Sequence, residues 1–214
     1  KVRAELESQA WLPAAMASVL TSIGFPPHTE MDSPRLRVIP HRAELERGAE
    51  PLFVVHRDTW YGCPQAQVNV WMPLHDLPCE QSFAFYPDFF RRPIANGSAS
   101  FDYHRWTQEV GWHGAAEVAS YPQPSGVAAL GREQRFALQE AEVLLFAAHH
   151  LHGTKPNPKP GTTRFSLDVR VVVPLAPESP NVDNASTGAD ERRAREFRPV
   201  SRWGISRPPE FPQV

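Results

Sequence analysis

His56-Arg57-Asp58 and, far along the chain, His152 followed by Arg164-Phe165-Ser166 are the residues whose types and spacing carry chemistry. Two imidazoles and one carboxylate can occupy one face of an octahedral iron(II) ion, leaving three positions open for a co-substrate and dioxygen. His56 and Asp58 stand two apart, so on a strand both side chains point to one face and can reach one metal. The apolar run Ala147-Ala148 ends in His149-His150-Leu151-His152, and three histidines there are too many for casual core filling. His152 is the expected ligand because it opens His-Gly-Thr-Lys-Pro-Asn and precedes Arg164 across a proline-rich turn. His149 and His150 are expected in supporting or structural roles. Arg164 and Ser166 alternate on the next strand and share a face, so a guanidinium fork and a hydroxyl can together grip a carboxylate. The competing role for Arg164 is a buried pair with some acid of the fold.

These side chains need a scaffold, and the patterning predicts one. Leu6, Ala10, Leu12, Met16, Val19, Leu20 and Ile23 recur at helical spacing, predicting one amphipathic helix over 3–23 that ends at Gly24 and Pro26-Pro27. Short β-rich runs follow at 36–39, 52–60, 65–74 and 82–86, and strand character returns at 134–138, 141–148 and 163–173. Lys155 to Gly161 forms a stiff turn between the last two. Residues 87–125 are crowded with aromatic and polar side chains and read as a long lid over the core, including Trp112. The spacing suits antiparallel strands in two facing sheets. The expected organisation is one domain over 1–173 and a Pro-rich extended tail over 174–214, with a short helix around 191–197. No internal repeat is visible.

Composition narrows the function. A chain of 214 residues with 41% hydrophobic content suffices for one core. The formal charge of -2, with cations scattered among acids, gives no basic stripe for a phosphate backbone, so nucleic acid is not an expected partner. No window approaches the roughly 18 consecutive apolar residues of a membrane span. Cys63 and Cys79 are too few for a disulfide scaffold, which favours reduced thiols and a cytoplasmic location. The chain begins at Lys1 rather than Met, and a trimmed N-terminal piece is expected.

His56-x-Asp58, His152-Gly-Thr-x-Pro-Asn and Arg164-x-Ser166 together resemble the iron(II) and 2-oxoglutarate-dependent dioxygenases, specifically the phytanoyl-CoA dioxygenase-like branch, over about residues 50–173. The resemblance implies a mainly β fold, the double-stranded β-helix or cupin-like jelly roll, with a flanking helix and a lid insertion. It implies that His56, Asp58 and His152 ligate iron(II) and that Arg164 binds the distal carboxylate of 2-oxoglutarate, with hydroxyl bonds from Ser166 and Thr154. Trp71 and Asn69, on one face of the strand Gln67-Val-Asn-Val-Trp71, are expected to line the co-substrate pocket. Related halogenases replace the carboxylate by a small residue, so an intact Asp58 points to hydroxylation or another oxidation of a small-molecule, natural-product substrate by dioxygen.

The substrate pocket is read from position alone. Trp60 and Tyr61 follow the His-x-Asp directly, and the lid offers Arg91, Arg92, Asn96, Tyr103, His104, Arg105 and Trp106; Trp60, Tyr61, Arg105 and Trp106 are the named candidates. Asp168 and Arg170 continue the face of Arg164 and Ser166, and either a cavity position or a mutual ion pair fits them. Two other functions remain compatible with the residues: a cupin-like metal oxygenase or isomerase that does not use 2-oxoglutarate, and a non-catalytic jelly-roll binding module.

Overall fold

Pro13 decides how the chain begins. In a continuous helix its ring would clash with the carbonyl four residues back, and the single helix expected over 3–23 is in fact two, α1 (Val2–Glu7) and α2 (Trp11–Ser22). Between them Ser8 Oγ and Gln9 Nε2 turn back onto the carbonyl of Glu5, at 2.7 and 3.1 Å. The computed structural model describes residues 2–46, 49–109, 121–126, 129–174, 183 and 189–203.

One long strand, β7 (Thr163–Val172), organises the larger sheet. It pairs antiparallel with β3 (Gln67–Pro73) on one edge, and with β2 (Arg35–Pro40) and then β1 (Glu30–Met31) on the other. Beyond β3 lies β5 (Leu144–Ala147), and beyond β1 lies β8 (Arg198–Pro199). The two-residue period of β7 gives it two unlike faces. Leu167, Val169 and Val171 pack with Met31, Leu36 and Val70 against Leu12, Met16 and Leu20 of α2. Truncating Leu20, which is fully buried, to Ala would cost about 2–5 kcal/mol. The opposite face carries Arg164, Ser166, Asp168 and Arg170.

That second face looks onto a smaller sheet of β4 (Ala84–Phe85) and β6 (His152–Gly153), widened by single antiparallel bridges from His56 to His152 and from Gln134 to Phe85. The Phe146 ring of β5 meets the Phe85 and His152 rings at centroid distances of 5.1 and 4.9 Å, so the inner faces of the two sheets touch. The architecture is the mainly β jelly roll expected from the sequence, open at its edges and not closed into a barrel. No helix among the described residues is long and apolar enough to cross a membrane.

Several elements differ from the sequence reading. The strand expected over 52–60 is two single 3-10 turns, Glu50–Phe53 and Asp58–Tyr61, with His56 alone in a bridge between them. Pro51 starts the first turn, and Gly62, at φ 72°, closes the second. The strand expected over 82–86 shortens to Ala84–Phe85, and that over 134–138 reduces to bridges at Gln134 and Leu138.

The tail is not simply extended. Helix α4 (Ala189–Glu196) is followed by β8 and a 3-10 turn, Val200–Trp203, and Phe197 and Arg192 are buried. A buried Phe and a free strand edge on β1 supply the reason to fold back. In the lid, helix α3 (Tyr103–Glu109) follows two 3-10 turns, Pro87–Phe89 and Ser98–Ser100. Trp112 and the rest of 110–120 lie outside the described residues, as do 175–182, 184–188 and 204–214 of the tail.

Candidate metal centre

His56, Asp58 and His152 converge although they come from three different local structures. The backbones of His56 and His152 hold each other in a reciprocal pair, with His56 N–H donating to the His152 carbonyl at 2.8 Å and His152 N–H returning the bond at 3.0 Å. Arg57 is extended, so the chain carries Asp58 to the side of His56, where its N–H donates to the Ala148 carbonyl at 2.8 Å. Asp58 Oδ1 then lies 3.3 Å from His56 Nε2 and 3.9 Å from His152 Nε2. One ligand atom from each of the three falls within 4.8 Å of the others, a spacing that can hold a metal ion.

Every other polar atom of this trio has a fixed task. His56 Nδ1 lies 2.8 Å from the Val54 carbonyl and His152 Nδ1 lies 2.8 Å from the His150 carbonyl. A carbonyl can only accept, so each Nδ1 carries the proton and each Nε2 presents its lone pair to the centre. Asp58 Oδ2 accepts from Asn69 Nδ2 at 2.6 Å and Gln67 Nε2 at 3.2 Å, leaving Oδ1 free. Such outer bonds fix the direction and basicity of metal ligands. Burial, with repulsion from His56 added, pushes the His152 imidazole down to about 4, so it is neutral at physiological pH. Burial alone would raise the Asp58 carboxyl, but the bond from His56 and the charge of His152 that arise when these imidazoles are protonated, together with the Arg170 charge, hold it well below the usual carboxylate range.

Two neighbours of the ligands are structural. Arg57 is fully buried and turned away from the trio; it donates to the carbonyls of His149, Phe89 and Arg92 at 2.6 to 2.8 Å and lies 3.0 Å from Asp183. It thereby ties the root of the lid to the His-Arg-Asp turn. At Gly153 a Cβ would meet Val55 Cγ2 at 3.0 Å and Val55 Cα at 3.2 Å, so any larger residue would push against the chain before His56, which glycine lets β6 approach without a shift. His150 stacks on Phe90, with ring centroids 3.9 Å apart, and takes no part in the trio; burial and repulsion from His149 push it down to about 4.

The trio opens into a cavity of about 480 Å³ between the sheets. At one end Arg164, only 3% exposed, donates to the Gln81 carbonyl at 2.9 Å. Its Nε and the hydroxyl of Ser166 are both buried without a partner, and no acid pairs with the guanidinium among the described residues. Burial and then repulsion from Arg37 push Arg164 down to about 10, so it stays charged at neutral pH.

No protein-family model and no curated protein matches the chain. Solved structures do. AviO1 from Streptomyces viridochromogenes is 19% identical over 82% of this chain and 67% of its own, with a TM-score of 0.44. EvdO2 from Micromonospora carbonacea var. aurantiaca, complexed with 2-oxoglutarate, is 15% identical over 78% of this chain and 62% of its own, with a TM-score of 0.49. The non-heme alpha ketoglutarate dependent carbocyclase SnoK from nogalamycin biosynthesis is 17% identical over 87% and 63%, with a TM-score of 0.45. The chain thus spans between 62 and 67% of the length of these three structures.

Of the residues singled out from the sequence, His56, Asp58, His152, Asn69, Trp71, Thr154, Arg164 and Tyr61 all line the one cavity. Three do not. The Trp60 indole is fully buried among Ala84, Tyr86, Phe89, Ile94 and Leu151, and its Nε1 donates to Asp183, because the turn after Asp58 sends consecutive side chains to opposite sides. Arg105 lies on the exposed face of α3 and pairs with Glu109, whereas Trp106 packs with Tyr61, Phe101 and Tyr121. Among the described lid residues, Tyr103 reaches the cavity. Asp168 and Arg170 both line it, but Asp168 binds Arg37 in two-pronged fashion, at 2.7 and 3.2 Å, instead of pairing with Arg170. Sequence reading missed Arg35, Arg37, Phe83, Phe146 and Arg192 as lining residues. Arg35-x-Arg37 carried a signal, two cations alternating with Leu36 and Val38 at the start of the strand expected over 36–39.

Proposed function

We propose that the chain is a non-haem iron(II) and 2-oxoglutarate-dependent oxygenase of the phytanoyl-CoA dioxygenase-like kind, hydroxylating a small molecule. The observation that carries this reading is the pairing, in one cavity, of a ready-made His-Asp-His ligand set with a buried, acid-free Arg164 beside the unpartnered Ser166 hydroxyl. A guanidinium left buried without an anion costs several kcal/mol, so this end calls for a ligand that brings a carboxylate. A dicarboxylate with a keto acid at its other end fits both ends.

The donor set fits iron(II): two neutral Nε2 atoms and one carboxylate oxygen, with their remaining atoms committed elsewhere. Bound there, iron(II) would supply dioxygen activation coupled to decarboxylation of 2-oxoglutarate to succinate and carbon dioxide. The chain does the rest. Arg164 neutralises the distal carboxylate, and Ser166 and Thr154 offer it hydroxyl protons. Trp71, held edge-on by Phe83 at 4.9 Å, gives the cavity a rigid wall beside Asn69. The apolar rings of Phe83, Phe85 and Phe146 pack around His152 and keep water from its back. Asp58 fills the position that halogenases leave open for chloride, which favours hydroxylation.

The test is succinate formation by the iron-loaded protein in air. We expect 2-oxoglutarate consumption matched by succinate, iron-dependent, and accelerated by the true substrate, with natural-product intermediates the first class to screen. Iron binding without any turnover of 2-oxoglutarate would favour the cupin-like alternative.

A further inference from the structure

Arg164 serves only one end of the cavity. Six residues further along the same face of β7, about 20 Å away between Cα atoms, Arg170 stands directly across from Asn69, the residue whose amide holds Asp58. Arg170 therefore lies at the level of the metal ligands, and it lines the cavity. Among the described residues its guanidinium forms an ion pair with Asp32 alone, at 3.8 Å, which is beyond hydrogen-bonding reach, and Asp58 and Asp168 act on it only through their charge. Asp32 is already engaged by the side chain of Arg35 and the backbone N–H of Arg170.

The charges around it do not balance. Glu196, the other acid here, is shared between Arg192 at 3.2 Å and Arg35 at 3.7 Å, and Asp168 is taken up by Arg37. Asp58 is the third carboxylate acting on Arg170, and on the proposed function the metal takes it up, so Arg35, Arg170 and Arg192 are left to share two carboxylates among the described residues, one positive charge in excess on a wall that is largely out of water. Beside them Tyr61 and Tyr103 line the same cavity; the Tyr61 ring lies 5.0 Å from that of His56. The Arg192 guanidinium is fixed 3.7 Å over the Tyr103 ring and by the Tyr61 carbonyl at 2.6 Å, so it is a rigid wall group.

We propose that this end is the substrate subsite, and that it takes a small molecule carrying a carboxylate, held by Arg170 with its body along the cavity wall that Tyr61 and Tyr103 line. The excess of a single charge matches a singly charged anion. This rests on the reading that Arg164 holds 2-oxoglutarate, since two separated cations in one cavity then serve two different anions.

Hydrocinnamate and its neutral amide are suitable probes, titrated by calorimetry into the full chain loaded with nickel(II) and saturating 2-oxoglutarate. We expect the acid to bind about tenfold tighter than the amide, the scale of one charge-assisted contact. Arg170→Gln should bring the two within about twofold and Arg170→Lys should restore part of the preference, while 2-oxoglutarate affinity changes little. Equal binding of acid and amide to the wild type overturns the proposal without any variant, and so does a preference that survives Arg170→Gln or an acid that merely displaces 2-oxoglutarate. The co-substrate reading fails separately, if 2-oxoglutarate does not bind the metal-loaded wild type. An acid preference lost in Arg170→Gln with metal alone would then still stand.

Discussion

The two ends of the site differ in how their polar atoms are satisfied. Around His56, Asp58 and His152 each atom not aimed at the centre has a partner: two carbonyls for the Nδ1 protons, and Asn69 and Gln67 for Asp58 Oδ2. At Arg164 and Ser166 the opposite holds, with donors buried and left over. The first arrangement is complete except for an ion; the second is complete only with an anion. A preorganised metal cluster is set by outer hydrogen bonds, whereas an anion site is marked by a desolvated charge that nothing in the chain neutralises.

The sharpest way to break this comparison is to remove a direct ligand. His152→Ala should weaken iron(II) binding by well over about a hundredfold and abolish iron-dependent activity, since loss of an outer-shell partner alone costs about 10- to 100-fold. Asn69→Ala removes the bond to Asp58 Oδ2 and the one Asn69 accepts from Gln67, leaving the direct ligands in place, and calorimetry should show metal affinity lowered by about 10- to 100-fold. An unchanged affinity there would mean that the outer bonds do not prepare the cluster.

Gly153→Ala probes the close approach behind His152. The new methyl would press on Val55, including its backbone, and should cost about 1–3 kcal/mol, read as a lower melting temperature with weaker metal binding. Acid acts on stability through two of the histidines. His150 and His152 are both held near 4 in the folded chain against 6.5 when exposed, so the unfolded chain binds more protons between those values. The metal-free protein should therefore lose stability as pH falls from 6.5 to about 4, with nothing further from these two groups below that. His150→Ala should have the smallest effect on metal affinity, within about threefold. A ranking that put it above His152→Ala would reassign the ligand.

The chemistry was more legible in the sequence than the local structure that delivers it. Two-residue spacing put Arg164, Ser166, Asp168 and Arg170 on one face of β7, because a strand's period needs no tertiary information, and left open whether Asp168 reaches the cavity, which it does. The same argument gave His56 and Asp58 a shared direction for the wrong reason: no strand runs there, and an extended Arg57 followed by a 3-10 turn produces the convergence. Pro13 was readable as a break and was passed over for the apolar period around it. Arg192 could not have been found, because a charged stretch at helical spacing looks solvated until β8 pairs with β1 and folds α4 back onto the cavity. Trp60 and Trp106 show the converse, large aromatics near the ligands in sequence but spent on packing.

The central claim is that Arg164 is the anion anchor of a metal site that stands complete without it. The most direct test is the affinity of the metal-loaded protein for 2-oxoglutarate, wild type against Arg164→Ala, with metal affinity measured alongside. We predict a loss of about tenfold or more in 2-oxoglutarate binding, the scale of a charge-assisted contact, and a metal affinity that is unchanged. Equal 2-oxoglutarate affinity in the two proteins would contradict it.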